Sequence, residues 1–246
     1  NLIKRSQYHQ HYNNSITNGS ISTDSSNVSI TDNTMEGKAL GISVSAGDGV
    51  RILRNTIKYN GWSGTGITIS GGYYHQIRHN ILKTNGTSDN YGISLQGGKV
   101  SEIQNNSIYT NGTGGTNIGI SVGDGLTAVA GNYTIYENYI STDGTSNNYG
   151  IRIHGDALDN VIDNNVIIAG GTGSDNHGIF LVRIVDEGDN PTAVRNNTLF
   201  INNNITSRTF SYIILDTVNG RSTHYLVYNN SFGEIKWLNN GSGGIS

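Results

Sequence analysis

Apolar side chains occur in this chain as short runs of about three to five residues that alternate with polar ones, and nowhere do they hold the 3.6-residue period of a helix. One recurring run reads Gly-Ile-x-aliphatic: Gly41-Ile42-Ser43-Val44, Gly66-Ile67-Thr68-Ile69, Gly92-Ile93-Ser94-Leu95, Gly119-Ile120-Ser121-Val122, Gly150-Ile151-Arg152-Ile153 and Gly178-Ile179-Phe180-Leu181. Tyr212-Ile213-Ile214-Leu215 is a last copy without the glycine. A second run reads Asn-x-aliphatic, with the asparagine at 14, 33, 55, 80, 106, 138, 165, 197 and 230. Its spacing, 19 to 33 residues, lies in the range of stacked repeat proteins. Between the two sits a third run, such as Val28-x-Ile30 or Val50-x-Ile52. Each repeat therefore predicts three short strands with Asn or Gly at the corners.

A strand of that length cannot bury its face alone. Stacking successive repeats solves this by building three parallel sheets around one narrow core, with coils about 4.8 Å apart. Ile42, Ile67, Ile93, Ile120, Ile151 and Ile179 are then expected to stack inward as one column. The repeated asparagines are expected to form a second column, each in a left-handed corner conformation, its amide bonded to the next coil. The variable lengths fall before each Gly-Ile strand and after it, where loops carry function on a solenoid.

These repeats resemble the right-handed parallel β-helix repeat family, over roughly residues 12–235. The resemblance implies an all-β, right-handed parallel β-helix of about eight three-strand coils. Residues 1–246 are expected to form one such domain, a piece of a longer parent protein. The family spans pectate lyases, polygalacturonases, mannuronan epimerases, phage tailspikes and surface proteins, so the fold alone does not choose an activity.

Composition narrows the field. Gly and Asn each supply 34 of 246 residues, and charged residues make up only 13%. Turn formers at that density exclude a helical enzyme. The formal charge of −3 argues against a nucleic-acid partner. Without cysteine there is no disulfide framework, thiolate nucleophile or zinc-thiolate site. No apolar stretch is long enough for a membrane span. Eleven Asn-x-Ser/Thr sequons, including Asn85, Asn111 and Asn132, favour a surface location.

In enzymes of the resembled family the groove runs along the sheet formed here by the Gly-Ile strands. Period-2 alternation points Ser43, Thr68, Ser94, Gln96, Ser121, Arg152, His154, Phe180 and Asp216 outward. Only one of these is a carboxylate, so the paired carboxyl groups of a glycoside hydrolase are missing. The best catalytic candidate is Tyr149-Gly150-Ile151-Arg152-Ile153-His154-Gly155-Asp156, which is similar to the Tyr-Gly-x-Asp-Pro-His-Asp motif of mannuronan epimerases. Tyr149, Gly150 and His154 match, whereas Arg152 stands in place of the first Asp. Arg152 would neutralise a uronate carboxylate. His154 would move the adjacent proton, with Tyr149 or Tyr91 as partner and His177 as a further candidate.

Two more groupings bear on function. Asp156 and Asp159 in one turn, with Asp186, Glu187 and Asp189 in the next, offer hard oxygen ligands for Ca²⁺, the one cofactor the residue types suggest. Tyr91, Trp62, Tyr73 and Tyr74, in or near loops, and Gln96 on the sheet offer stacking and hydrogen bonding to sugars. A serine-rich, carboxylate-poor groove points first to a secreted or cell-surface module without catalysis. Its expected partners are a polysaccharide or cell-surface glycan and neighbouring domains of the parent chain, in an adhesive or structural role. The alternative is a polysaccharide lyase or uronate C5-epimerase centred on Arg152 and His154.

Overall fold

The computed structural model describes residues 2–3, 10–38, 41–123, 131–145, 147–154, 159–172, 175–182, 192–203, 209–216, 225–231 and 236–238. Among them there are strands and turns but no helix. The strands form three parallel sheets of ten, nine and eight members, each sheet taking every third strand in chain order up to the final strand, Lys236–Leu238, which joins the largest sheet two strands on. This is the right-handed parallel β-helix solenoid expected from the repeats. The Gly-Ile sheet includes Ile42–Val44, Gly64–Ile69, Asn90–Leu95, Asn117–Val122, Asn148–His154 and Asp175–Val182. It has more strands than the expected eight coils because Leu2–Ile3, Ile21–Thr23 and Lys236–Leu238 join it without the Gly-Ile signature.

The core is a set of aliphatic columns. Ile42, Ile67, Ile93, Ile120, Ile151 and Ile179 pair in register, each at most 1% exposed. Ile52, Ile77, Ile103, Ile135 and Ile162 line the middle sheet, and Ile57, Leu82, Ile108, Ile140 and Ile167 the Asn sheet. The glycine before each isoleucine allows the coils to close up. A Cβ on Gly119 would lie 2.6 Å from the Gly150 carbonyl oxygen and would also meet the Ile140 side chain.

The asparagine column forms as expected. Asn106 donates from Nδ2 to Asn138 Oδ1 (3.0 Å) and to the Ile77 carbonyl (2.8 Å). Its own Oδ1 accepts from the backbone N–H (3.0 Å) and Nδ2 (2.9 Å) of Asn80. The same Nδ2–Oδ1 contact links Asn14 through Asn230. The left-handed residue, however, is not the ladder asparagine but the one before it: Asp32, Arg54, His79, Asn105, Glu137, Asn164 and Asn196 all have φ near +55°. The turn is made one step earlier so that the following residue can aim its amide along the axis.

A second, inner ladder runs through Asn90, Asn117, Asn148 and Asn176, with Nδ2–Oδ1 distances of 3.0, 3.0 and 2.6 Å. Its signal in the sequence is an asparagine two places before the Gly of each later Gly-Ile run. It lengthens those strands at their start, so Tyr91 and Tyr149 lie within strands and not in loops.

Candidate functional site

The outward face of the Gly-Ile sheet is organised by register. Ser43, Thr68, Ser94, Ser121, Arg152 and Phe180 form one column; Thr65, Tyr91, Ile118, Tyr149 and His177 form a second. Between these columns and the strand ends lies an open cleft of about 160 Å³, lined by Tyr91, Ser94, Gln96, Ser121, Gly123, Arg152 and His154. Arg152, His154, Tyr91 and Gln96, singled out from the sequence, are thus brought to one place.

Tyr149 and His177 stand beside the cleft and not in its lining. Tyr149, His177 and Phe180 form an aromatic cluster with centroids 5.1–5.4 Å apart, and the His177 ring lies nearly parallel to Phe180. His177 is 4% exposed, so its imidazole acts as a packing group within this cluster. The Arg152 guanidinium sits 5.8 Å over the Tyr149 ring. Arg152 Nε is buried without a hydrogen-bond partner, and no carboxylate among the described residues pairs with the side chain.

Electrostatics limit what this cleft can do. Burial pushes the Tyr149 phenol upward; Arg152 pulls it partly back and Asp175 raises it again. Burial also raises Tyr91, with Asp89 adding to the effect and Arg152 opposing it. Both phenols therefore stay protonated near neutral pH and serve as hydrogen-bond donors, not bases. Among the described residues none of the lining side chains is a carboxylate, so these residues supply no carboxyl pair of the kind glycoside hydrolysis uses.

The remaining sugar-binding candidates do not join the cleft. Trp62 (76% exposed) precedes the Gly64–Ile69 strand, whereas Tyr73 and Tyr74 follow it at the opposite corner, with ring centroids 6.2 Å apart. Tyr59, another tyrosine of this region, is buried and donates its hydroxyl to the Ser63 carbonyl. Of the calcium candidates, Asp159 occupies a left-handed corner position (φ 55°) and is half-buried. Asp156, Asp186, Glu187 and Asp189 lie outside the described residues. Among the described residues no group of three or more His, Asp or Glu side chains converges to hold an ion.

Comparison with known proteins bears on the fold. The family described as right handed beta helix region matches residues 2–88. No curated protein and no solved structure matches the chain significantly. The matched segment covers the early coils, and the three sheets carry the same stacking onward through later ones. That match over the early coils and the three parallel sheets together fit a right-handed parallel β-helix repeat family.

Proposed function

We propose that this β-helix is a secreted or cell-surface module that binds an acidic glycan in the Gly-Ile sheet cleft without turning it over. The observation that carries this reading is Arg152, a cation without a carboxylate partner among the described residues, set beside Tyr91 and a row of hydroxyls. A uronate carboxylate supplies the missing counter-charge and accepts two parallel N–H bonds. Tyr91, Ser94, Gln96 and Ser121 supply hydrogen bonds to ring hydroxyls. The nearby phenols are held protonated and no carboxylate among the described residues lines the cleft, which leaves His154 alone as a candidate base there.

The alternative, a lyase or C5-epimerase, draws on one observation: Arg152 and His154 share the cleft lining. One experiment separates the two. Polygalacturonate, polymannuronate and neutral glycans are titrated calorimetrically while unsaturated-product absorbance and exchange at the sugar C5 are followed in the same samples. The binding module gives uronate affinity that falls at least tenfold in Arg152→Ala, little change in His154→Ala, and no product. Product formation that disappears in His154→Ala would establish the enzyme instead. Absence of both binding and product would leave a structural spacer.

A further inference from the structure

The corner between the Gly-Ile sheet and the middle sheet holds a second depression, of about 220 Å³, that shares no residue with the cleft. Its rim is one corner position on three successive coils, occupied by Tyr74, Val100 and Asn132. Its floor is the next strand position on those coils, Gln76, Glu102 and Thr134, paired in register. Buried His75 and Ser101 fix the wall between them: Ser101 Oγ accepts the His75 N–H (3.1 Å), and His75 Nε2 contacts the Gly71 carbonyl (2.9 Å).

The rim is conformationally expensive. Tyr74 (φ 61°) and Val100 (φ 53°) are left-handed, where other coils place Asn27, Gly49, Asn132 or Asp159. A β-branched residue in that region is an outlier, and strain of this kind concentrates at ligand sites. What it achieves here is exposure of an aromatic ring and an aliphatic side chain, 64% and 41% accessible, beside an amide, a carboxylate and a hydroxyl. The Glu102 carboxylate is already ion-paired with Arg78, so the depression presents no uncompensated charge.

We propose that this depression binds a neutral pyranose ring, its C–H face stacked on Tyr74 and Val100 and its hydroxyls bonded to Gln76, Glu102, Asn132 and Thr134. Sugars combine an apolar face with a polar edge, and this surface offers the complement to both. The site stands apart from the cleft and does not depend on its reading.

The test uses protein made in a host that attaches no Asn-linked sugar, so that Asn132, which heads an Asn-x-Thr sequon, is bare and the ring comes only from solution. Cellohexaose, maltohexaose, mannohexaose and chitohexaose are titrated and followed by calorimetry and saturation-transfer NMR. At least one is expected to bind, and Tyr74→Ala is expected to weaken it about tenfold while leaving polygalacturonate titrations unchanged. Val100→Asn is the decisive variant. It relieves the backbone strain, so it should melt higher than the parent protein while binding the neutral sugar more weakly. Added polygalacturonate should not compete. The proposal is overturned if none of the four sugars binds, if Tyr74→Ala and Val100→Asn bind as the parent does, or if polygalacturonate displaces the neutral sugar.

Discussion

Replacing Asn106 by Leu removes a side chain that serves three coils at once. Its Oδ1 is the acceptor for the buried backbone N–H of Asn80, and no other partner lies there to replace it. Asn80 Nδ2 also loses a bond, but keeps the Ile52 (2.9 Å) and Arg78 (3.1 Å) carbonyls. The Ile77 carbonyl and Asn138 Oδ1 each lose one donor, while Asn138 Oδ1 still accepts from the Asn106 backbone. The main cost is therefore one orphaned buried N–H, about 1–3 kcal/mol, with a smaller addition from bonds that have substitutes. A total of about 2–4 kcal/mol follows. The exposed Asn14 donates to Asn33 at the end of the ladder, so Asn14→Leu leaves no buried donor orphaned and should cost well under 1 kcal/mol. Equilibrium urea unfolding followed by far-UV circular dichroism measures both variants, with an unchanged m-value as the check that the comparison is sound. Equal costs at the two positions would refute the reasoning, because the ladder would then contribute nothing through burial.

The same assay tests four further substitutions. Ile93→Ala opens a cavity in a fully buried column and should cost about 2–5 kcal/mol. Thr110→Val should stabilise by about 1 kcal/mol, because the Thr110 hydroxyl is buried without a partner; a loss of stability would show that it is satisfied. Val100→Asn should gain about 1–2 kcal/mol by removing a β-branched residue from a left-handed position. Burial holds the His75 imidazole below its ordinary range, so the unfolded chain takes up a proton first as pH falls. Its contribution is full above about pH 6.5 and is lost as pH drops towards the lowered folded value, so His75→Gln should flatten the loss of stability as pH falls below about 6.5.

The columns were legible because their side chains obey two periods at once, alternation within a strand and recurrence between coils. Ile93 and Asn106 satisfy both, and so do Arg152 and His154, whose shared cleft follows from alternation plus register. The position of the left-handed residue was not legible. An asparagine signals either a corner or an amide ladder, and here Arg54 and Glu137 turn the chain while Asn55 and Asn138 bond along the axis. Tyr91 lies in a strand and not a loop because the inner ladder at Asn90 extends that strand into a region whose turn formers signal a loop. Trp62 and Tyr74 are close in sequence, but a strand lies between them, and only the coil geometry shows that they occupy opposite corners. That no carboxylate among the described residues pairs with Arg152 depends on which acidic residues share its coil neighbours, which loop lengths obscure.

The ladder contacts also set how the chain can assemble and come apart. Bonded asparagines are 19 to 33 residues apart along the chain, so no ladder link closes a loop much longer than one coil. That separation is roughly a tenth of the chain length, in the range of helical bundles and below that of most all-β sandwiches. Once one pair of coils has formed, each further coil adds at nearly constant entropic cost, so growth is zipper-like. The reverse holds on damage: a coil that opens releases only its two neighbours, and proteases would shorten the solenoid from its ends in steps of one coil before the centre gives way.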